Sequence, residues 1–230
     1  MSSKKPIIAI DGPAGSGKSS TARQVAARLN YIHIDTGAMY RAITLKVLRH
    51  QIDVNDAETI GELAHQTDIY QERIDGDVHT FLDGEDVSSL IRTPEISQNV
   101  SQVASIPRVR QRLVQFQRQM GEKGGIVLEG RDIGTVVFPN AEIKIFMQAS
   151  IEARAQRRLK DLQADGIEVD LKELEAEIAA RDHADSTRQT SPLKQAPDAI
   201  LLDTTTLTME EQVQFIIDLH DQWLKSRDES

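Results

Sequence analysis

The 230-residue chain predicts an α/β fold, a five-stranded parallel sheet covered by helices on both faces. Three observations carry that prediction: short apolar runs recur along the chain, helical patterns fill the intervals, and a glycine-rich turn joins the first run to the first helix. The runs are PIIAI at 6–10, YIHI at 31–34, GIVLE at 125–129, EIKIFM at 142–147 and DAILLD at 198–203. They are rich in β-branched residues and mostly apolar on both faces, as strands sandwiched between helical layers are.

The helical patterns follow in order: Ser19 to Leu29, Ala38 to His50, Arg108 to Lys123, Ile151 to Ala164, Leu171 to Ala180 and Met209 to Lys225. From about Asp68 to Ser89 the rhythm changes to alternating strands around Asp75-Gly76 and Asp83-Gly84, dipeptides that favour tight hairpin turns. A small antiparallel insertion is therefore expected at about 66–92. Gly124-Gly125 marks a helix-to-strand return and Asp165-Gly166 a helix end, because glycine accepts the left-handed conformation there. The tail from Ser226 is expected to fray. The length suits a single domain, with a core at 1–37, 102–150 and 190–230, a second region at 38–101 that holds the insertion, and a third at 151–189.

Hydrophobic residues make up 39% and charged residues 27% of the chain, and no apolar run approaches the roughly 20 residues of a membrane span. The start, MSSKKPIIAIDGP, lacks the apolar stretch of a secretory signal. With no cysteine there is neither disulfide nor thiolate metal site, which fits a reducing compartment, and the cytoplasm is the expected location. The net charge of -9 argues against a general partner for nucleic acid or membrane surfaces, which are held by summed positive charge. An anionic ligand must be met by a local arginine cluster.

The turn GPAGSGKSS, Gly12, Pro13, Ala14, Gly15, Ser16, Gly17, Lys18, Ser19 and Ser20, fits GxxxxGK(S/T) between a strand and a helix. Gly12, Gly15 and Gly17 let the backbone wrap so that N–H groups point at phosphate oxygens, and the helix N-terminus adds its positive end. Lys18 can reach β- and γ-phosphates, and the Ser19 hydroxyl can ligate a phosphate-bound Mg²⁺. The stretch asks for a nucleoside triphosphate. A small-molecule kinase, a GTPase switch and an ATPase motor or partner-binding module all use one. The switch is set aside because neither NKxD nor DxxG occurs. Glu129, at the end of a strand, keeps the ATPase reading open.

Arginines favour the kinase. Arg154 and Arg158 are four apart on one helix with Arg157 beside them, and cation clamps over a transferring phosphoryl group are what that chemistry needs. A lid is one reading; a solvated basic face pairing with Glu152 and Asp161 is the other. Arg181, Asp185 and Arg188 are spaced four and three apart, which aligns them if the helix from Leu171 continues. Two cations around a carboxylate suit an acceptor with both phosphate and hydroxyls, and a surface ion pair is the alternative. The six histidines show no metal-ligand spacing.

The blocks IDGPAGSGKSS, IDTGAMYRA, LDGEDVSSLIRTPEIS, VASIPRVRQRL, LEGRDIGTVVFPNAEIKIFMQAS and SPLKQAPDAILLDTT together resemble the bacterial cytidylate kinases, P-loop nucleoside monophosphate kinases with an enlarged monophosphate-binding insertion. The resemblance runs from about Pro6 to Trp223. It implies ATP-dependent phosphorylation of CMP and dCMP by a monomer with Mg²⁺, the region 38–101 binding the monophosphate and 151–189 forming the lid. By position it implies Ser101, Arg110 and Asp132 at the cytosine, Arg41, Arg131 and Arg188 at the acceptor phosphate, and Arg181 with Asp185 at the pentose. Arg154 and Arg158 would be the lid arginines, with Arg157 an alternative to Arg158. Thr36 in DTGAMY, also at the substrate, stands where serine is common and keeps the hydroxyl. Cytosine offers an amine donor beside N3 and O2 acceptors, so a carboxylate and an arginine such as Asp132 and Arg110 separate it from uracil. An acceptor that is already an anion needs no strong general base.

Overall fold

The computed structural model describes residues 5–164 and 166–228. Asp165 of the expected Asp165-Gly166 helix end lies outside them. Five strands form one sheet, β1 (Ile7–Asp11), β2 (Ile32–Asp35), β6 (Ile126–Gly130), β7 (Ile143–Gln148) and β8 (Ile200–Asp203), in the order β2-β6-β1-β7-β8. β1 runs parallel to β6, with Ile7 opposite Ile126, and parallel to β7, with Ile8 opposite Ile143. All five residues of β1 are buried, as its two-sided apolar run requires. The chain leaves β1 to one side and later crosses to the other, and such a reversal opens a crevice beyond the carboxyl ends of the strands. The glycine-rich turn follows the end of β1 there.

The eight α-helices of the described residues are α1 (Lys18–Leu29), α2 (Thr36–Arg49), α3 (Ala57–His65), α4 (Pro94–Val103), α5 (Pro107–Gly121), α6 (Ile151–Ala164), α7 (Leu171–Thr187) and α8 (Met209–Asp228). A second, antiparallel sheet joins β3 (Ile69–Ile74), β4 (Asp77–Leu82) and β5 (Glu85–Asp86), as the alternation and the two Asp-Gly turns predict. Gly76 and Gly84 take φ of +97° and +87°, values that the hairpin turns demand.

Two compact units divide the chain. One comprises residues up to 33, 124–187 and 192 onward; the other comprises 34–123 and 188–191. The core of the first gathers Ile8 and Ile10 of β1, Val25 of α1, Ile145 of β7 and Ile216 of α8. The second is centred on Met39 and Ile43 of α2, Ile60 of α3, Val100 of α4 and Leu113 of α5. Three findings differ from the sequence expectation. α3 and α4 are additional helices, α7 runs on from Ala180 to Thr187, and α8 continues through Ser226 to Asp228 instead of fraying. α3 and α4 are short, start at side-chain caps from Asp56 and Thr93, and bury only three residues each, which leaves little periodic signal.

Candidate active site

The cradle begins where β1 ends. Gly12, Gly15 and Gly17 have φ of +151°, +75° and +94°, left-handed values that only glycine takes without strain, and Pro13, Ala14 and Ser16 complete the wrap between them. Space also demands glycine at Gly12, since a Cβ there would lie 2.0 Å from the Met147 carbonyl oxygen. Lys18, Ser19 and Ser20 open α1, so backbone N–H groups and the helix's positive end face one spot. The loop is pinned from behind, because the Thr204 hydroxyl donates to Ser16 O at 2.8 Å. Lys18 is 5% exposed, and its Nζ donates to Pro13 O at 2.7 Å. Burial and the Arg131 charge pull its pKa down to about 7, against Glu129 and Asp11.

Beside the cradle, Ser19 Oγ donates to Glu129 Oε2 at 2.6 Å, and His33 Nε2 lies 3.5 Å from Glu129 Oε1. Burial alone would raise the Glu129 carboxyl, but His33, Lys18 and Ser19 outweigh it and hold the pKa below the usual carboxylate value. A hydroxyl and an ionised carboxylate side by side at a phosphate cradle are a hard oxygen set of the kind that Mg²⁺ prefers.

Arg131 and Asp132 leave the end of β6. Arg131 Nε donates to Asp185 Oδ2 at 2.8 Å, which brings these two predicted site residues together. Asp132 is buried and precedes a π-helical turn at Ile133–Val137. Arg181 and Asp185 share α7, but the helix ends at Thr187, one residue short of Arg188. Near that end the Ser186 and Thr187 hydroxyls bond back to Asp182 O and His183 O, a competition that favours helix ends and bends. Arg188 belongs to the other unit, where its Nε donates to Ser191 O at 2.6 Å.

Of the two arginines expected in a lid, Arg154 is buried and Arg158 exposed. Arg154 forms a bidentate pair with Asp182 of α7 at 3.0 and 2.6 Å and donates to Ala14 O at 3.1 Å. Spacing along a single helix cannot single out that carboxylate. Arg157 reaches Gly15 O at 3.4 Å and Thr204 Oγ1 at 3.3 Å, so it too touches the cradle.

In the second unit, Thr36 is the buried first residue of α2 and Arg41 lies one to two turns on, donating to Ser97 Oγ at 3.1 Å. The Gln71 amide brackets the start of that helix, accepting from Asp35 N at 3.0 Å and donating to Asp35 O at 2.8 Å. Ser101 is half-buried on α4. Arg110 of α5 is buried, donates to Ala104 O at 3.1 Å and stacks its guanidinium 5.2 Å from the Tyr40 ring centre.

Sequence reasoning missed Asp11, whose carboxylate accepts from Ile133 N and Gly134 N at 2.7 Å each. The available signal was an acidic residue closing an otherwise apolar buried strand. Burial pushes its pKa up to about 6, against the two backbone N–H groups.

The family model described as cytidylate kinase matches residues 8–222. The cytidylate kinase of Caldicellulosiruptor bescii is 48% identical over 223 residues, 97% of this chain and 99% of that one. The bifunctional pantoate ligase/cytidylate kinase of Synechococcus sp. (strain JA-3-3Ab) is 52% identical over 225 residues, and the match spans 96% of this chain but only 42% of that protein. Among solved structures, an uncharacterized protein from Eubacterium ventriosum superposes with a TM-score of 0.52 at 15% identity, covering 94% of this chain and 99% of that one, a likeness of fold.

Proposed function

The chain belongs to the cytidylate kinase family, and from that premise we propose how its residues divide the transfer of the γ-phosphoryl group of ATP to CMP or dCMP, the reaction it catalyses. The cradle supports the donor side: the Gly12–Ser20 backbone N–H groups and Lys18 hold the triphosphate. Ser19 with Glu129 would hold Mg²⁺ beside the phosphates, where the ion, when bound, neutralises oxygen charge. Arg154 and Arg158 clamp the transferring group, Arg41, Arg131 and Arg188 hold the acceptor phosphate, and Thr36 is a further substrate contact. Asp132 accepts from the cytosine amine, Arg110 donates to its acceptors, and Ser101 adds a polar contact. Arg181 and Asp185 take the pentose. No residue serves as a general base, because the attacking oxygen is already an anion. The enzyme acts as a cytoplasmic monomer.

The observation that carries the donor side is the left-handed triple Gly12, Gly15 and Gly17, with Lys18 Nζ held against the loop at Pro13 O. The Arg131–Asp185 pair supports a phosphate contact next to a pentose contact. It is tested at Asp185. Asp185→Ala loosens Arg131 for both substrates, but only CMP has a 2′-hydroxyl to lose. Its kcat/KM should fall roughly tenfold further than that of dCMP. Equal losses in steady-state assays remove Asp185 from the pentose.

A further inference from the structure

We infer that Asp11 is a positioning residue for base discrimination: its buried carboxylate holds the turn that carries Asp132 by accepting the backbone N–H groups of Ile133 and Gly134. The inference rests on the reading that Asp132 meets the cytosine amine. Asp11 ends the central strand, is 4% exposed and follows four buried apolar residues. A carboxylate there is costly unless it is hydrogen-bonded, and an apolar residue would pack the position without that cost. What it gains is two bonds of 2.7 Å, Ile133 N to Oδ1 and Gly134 N to Oδ2, one for each oxygen.

Those N–H groups open the π-helical turn Ile133–Val137, and the first N–H groups of any helical turn have no partner within it. An aspartate that precedes a helical turn normally supplies that partner itself. Asp132 stands at this position with φ -147° and ψ 26°, and its side chain makes no capping bond. Asp11, 122 residues from Ile133 in sequence, does the capping instead. Its carboxylate thus takes over the contact that would draw Asp132 into its own turn. The backbone of the turn also closes on the Asp132 carbonyl, which accepts from Val136 N at 2.9 Å and Val137 N at 3.2 Å.

Asp11→Asn keeps the shape but replaces one acceptor oxygen by a donor that faces a backbone N–H. Kinetics with CMP and UMP, together with ATP binding measured without monophosphate, separate the roles. The CMP to UMP ratio of kcat/KM should fall roughly tenfold while the ATP dissociation constant stays within about threefold of wild type. An unchanged ratio overturns the inference, and so does an ATP affinity that falls as much as the ratio, since Asp11 would then act through the adjacent cradle. Asp132→Ala in the same assay tells the two failures apart. If it leaves the ratio unchanged, the base-site reading fails; if it lowers the ratio and Asp11→Asn does not, only the Asp11 inference fails. Should Asp11→Asn not fold, Asp11→Ser, which keeps one acceptor oxygen on a shorter stem, is measured in the same assay, and an unchanged ratio in that variant overturns the inference equally.

Discussion

Lys18 is a cation placed where the fold works against its charge, and that placement has a measurable cost. Burial first, then Arg131, lowers its pKa from 10.5 to about 7. Between those values the unfolded chain holds a proton that the native state does not, so this group makes stability rise with pH from about 7 to 10.5, and below pH 7 its full destabilising effect is present. Lys18→Met removes the charge and keeps the stem. At pH 7 it should raise the melting temperature by a few degrees, at about 2–4 °C per kcal/mol for a chain this long, while cutting kcat by roughly 10² or more. A lower melting temperature at pH 7, or undiminished turnover, contradicts this account of Lys18. At this scale the sequence displays the cradle completely, because every residue of it is contiguous. Asp11, the Ser19–Glu129 bond and the Arg154–Asp182 pair are tertiary; their partners are separated by 122, 110 and 28 residues, and no local pattern links them.

Helices α6 and α7 show how one element can carry two kinds of arginine. Arg154 is buried and tied to Asp182, Ala14 O and Ala149 O, whereas Arg158 faces solvent from the same helix. Arg154→Ala should cost about 1–3 kcal/mol of stability, because it leaves the Asp182 carboxylate and two carbonyls without their donor, and it should lower kcat as well. Arg158→Ala should lower kcat roughly tenfold with the melting temperature unchanged. Melting curves and turnover for the pair check this; an Arg154→Ala variant as stable as wild type would show that the clip contributes nothing. The five strands and six of the helices can be read from apolar runs and helical spacing, within a few residues at their ends except for α7, which runs seven residues past its expected end. α3 and α4 cannot, since AETIGELAH and PEISQNVSQV present only three buried residues each. Their caps, Asp56 accepting from Thr59 N at 3.0 Å and Thr93 accepting from Ile96 N at 3.3 Å, are the cue that periodicity alone passes over. The insertion is legible for the opposite reason: alternating segments joined by two Asp-Gly dipeptides are local signals of antiparallel hairpins, and a sheet of three strands stands there.

For the whole molecule, composition indicates a globular chain without cysteine and without a membrane-spanning run, and among the described residues no helix is long and apolar enough to cross a membrane. What composition could not give is the division of the core into two hydrophobic clusters, one around the five-stranded sheet and one around α2, α3, α4 and α5, because that depends on which helices pack together. The residues proposed for the site follow the same division: the cradle, Glu129, Arg131, Asp132 and Asp185 belong to the first unit, and Arg41, Ser101, Arg110 and Arg188 to the second. On the proposed assignment, base identity rests on a few side chains, while the cradle and clamps would serve any monophosphate acceptor. Release of ADP from ATP and Mg²⁺, followed in a coupled assay with CMP, dCMP, UMP, AMP, GMP and TMP, tests this most directly. CMP and dCMP should run far ahead of UMP, with the purine nucleotides and TMP near background and no ADP formed without an acceptor. ADP release that is independent of any acceptor, or a preference for AMP or TMP, would contradict the account.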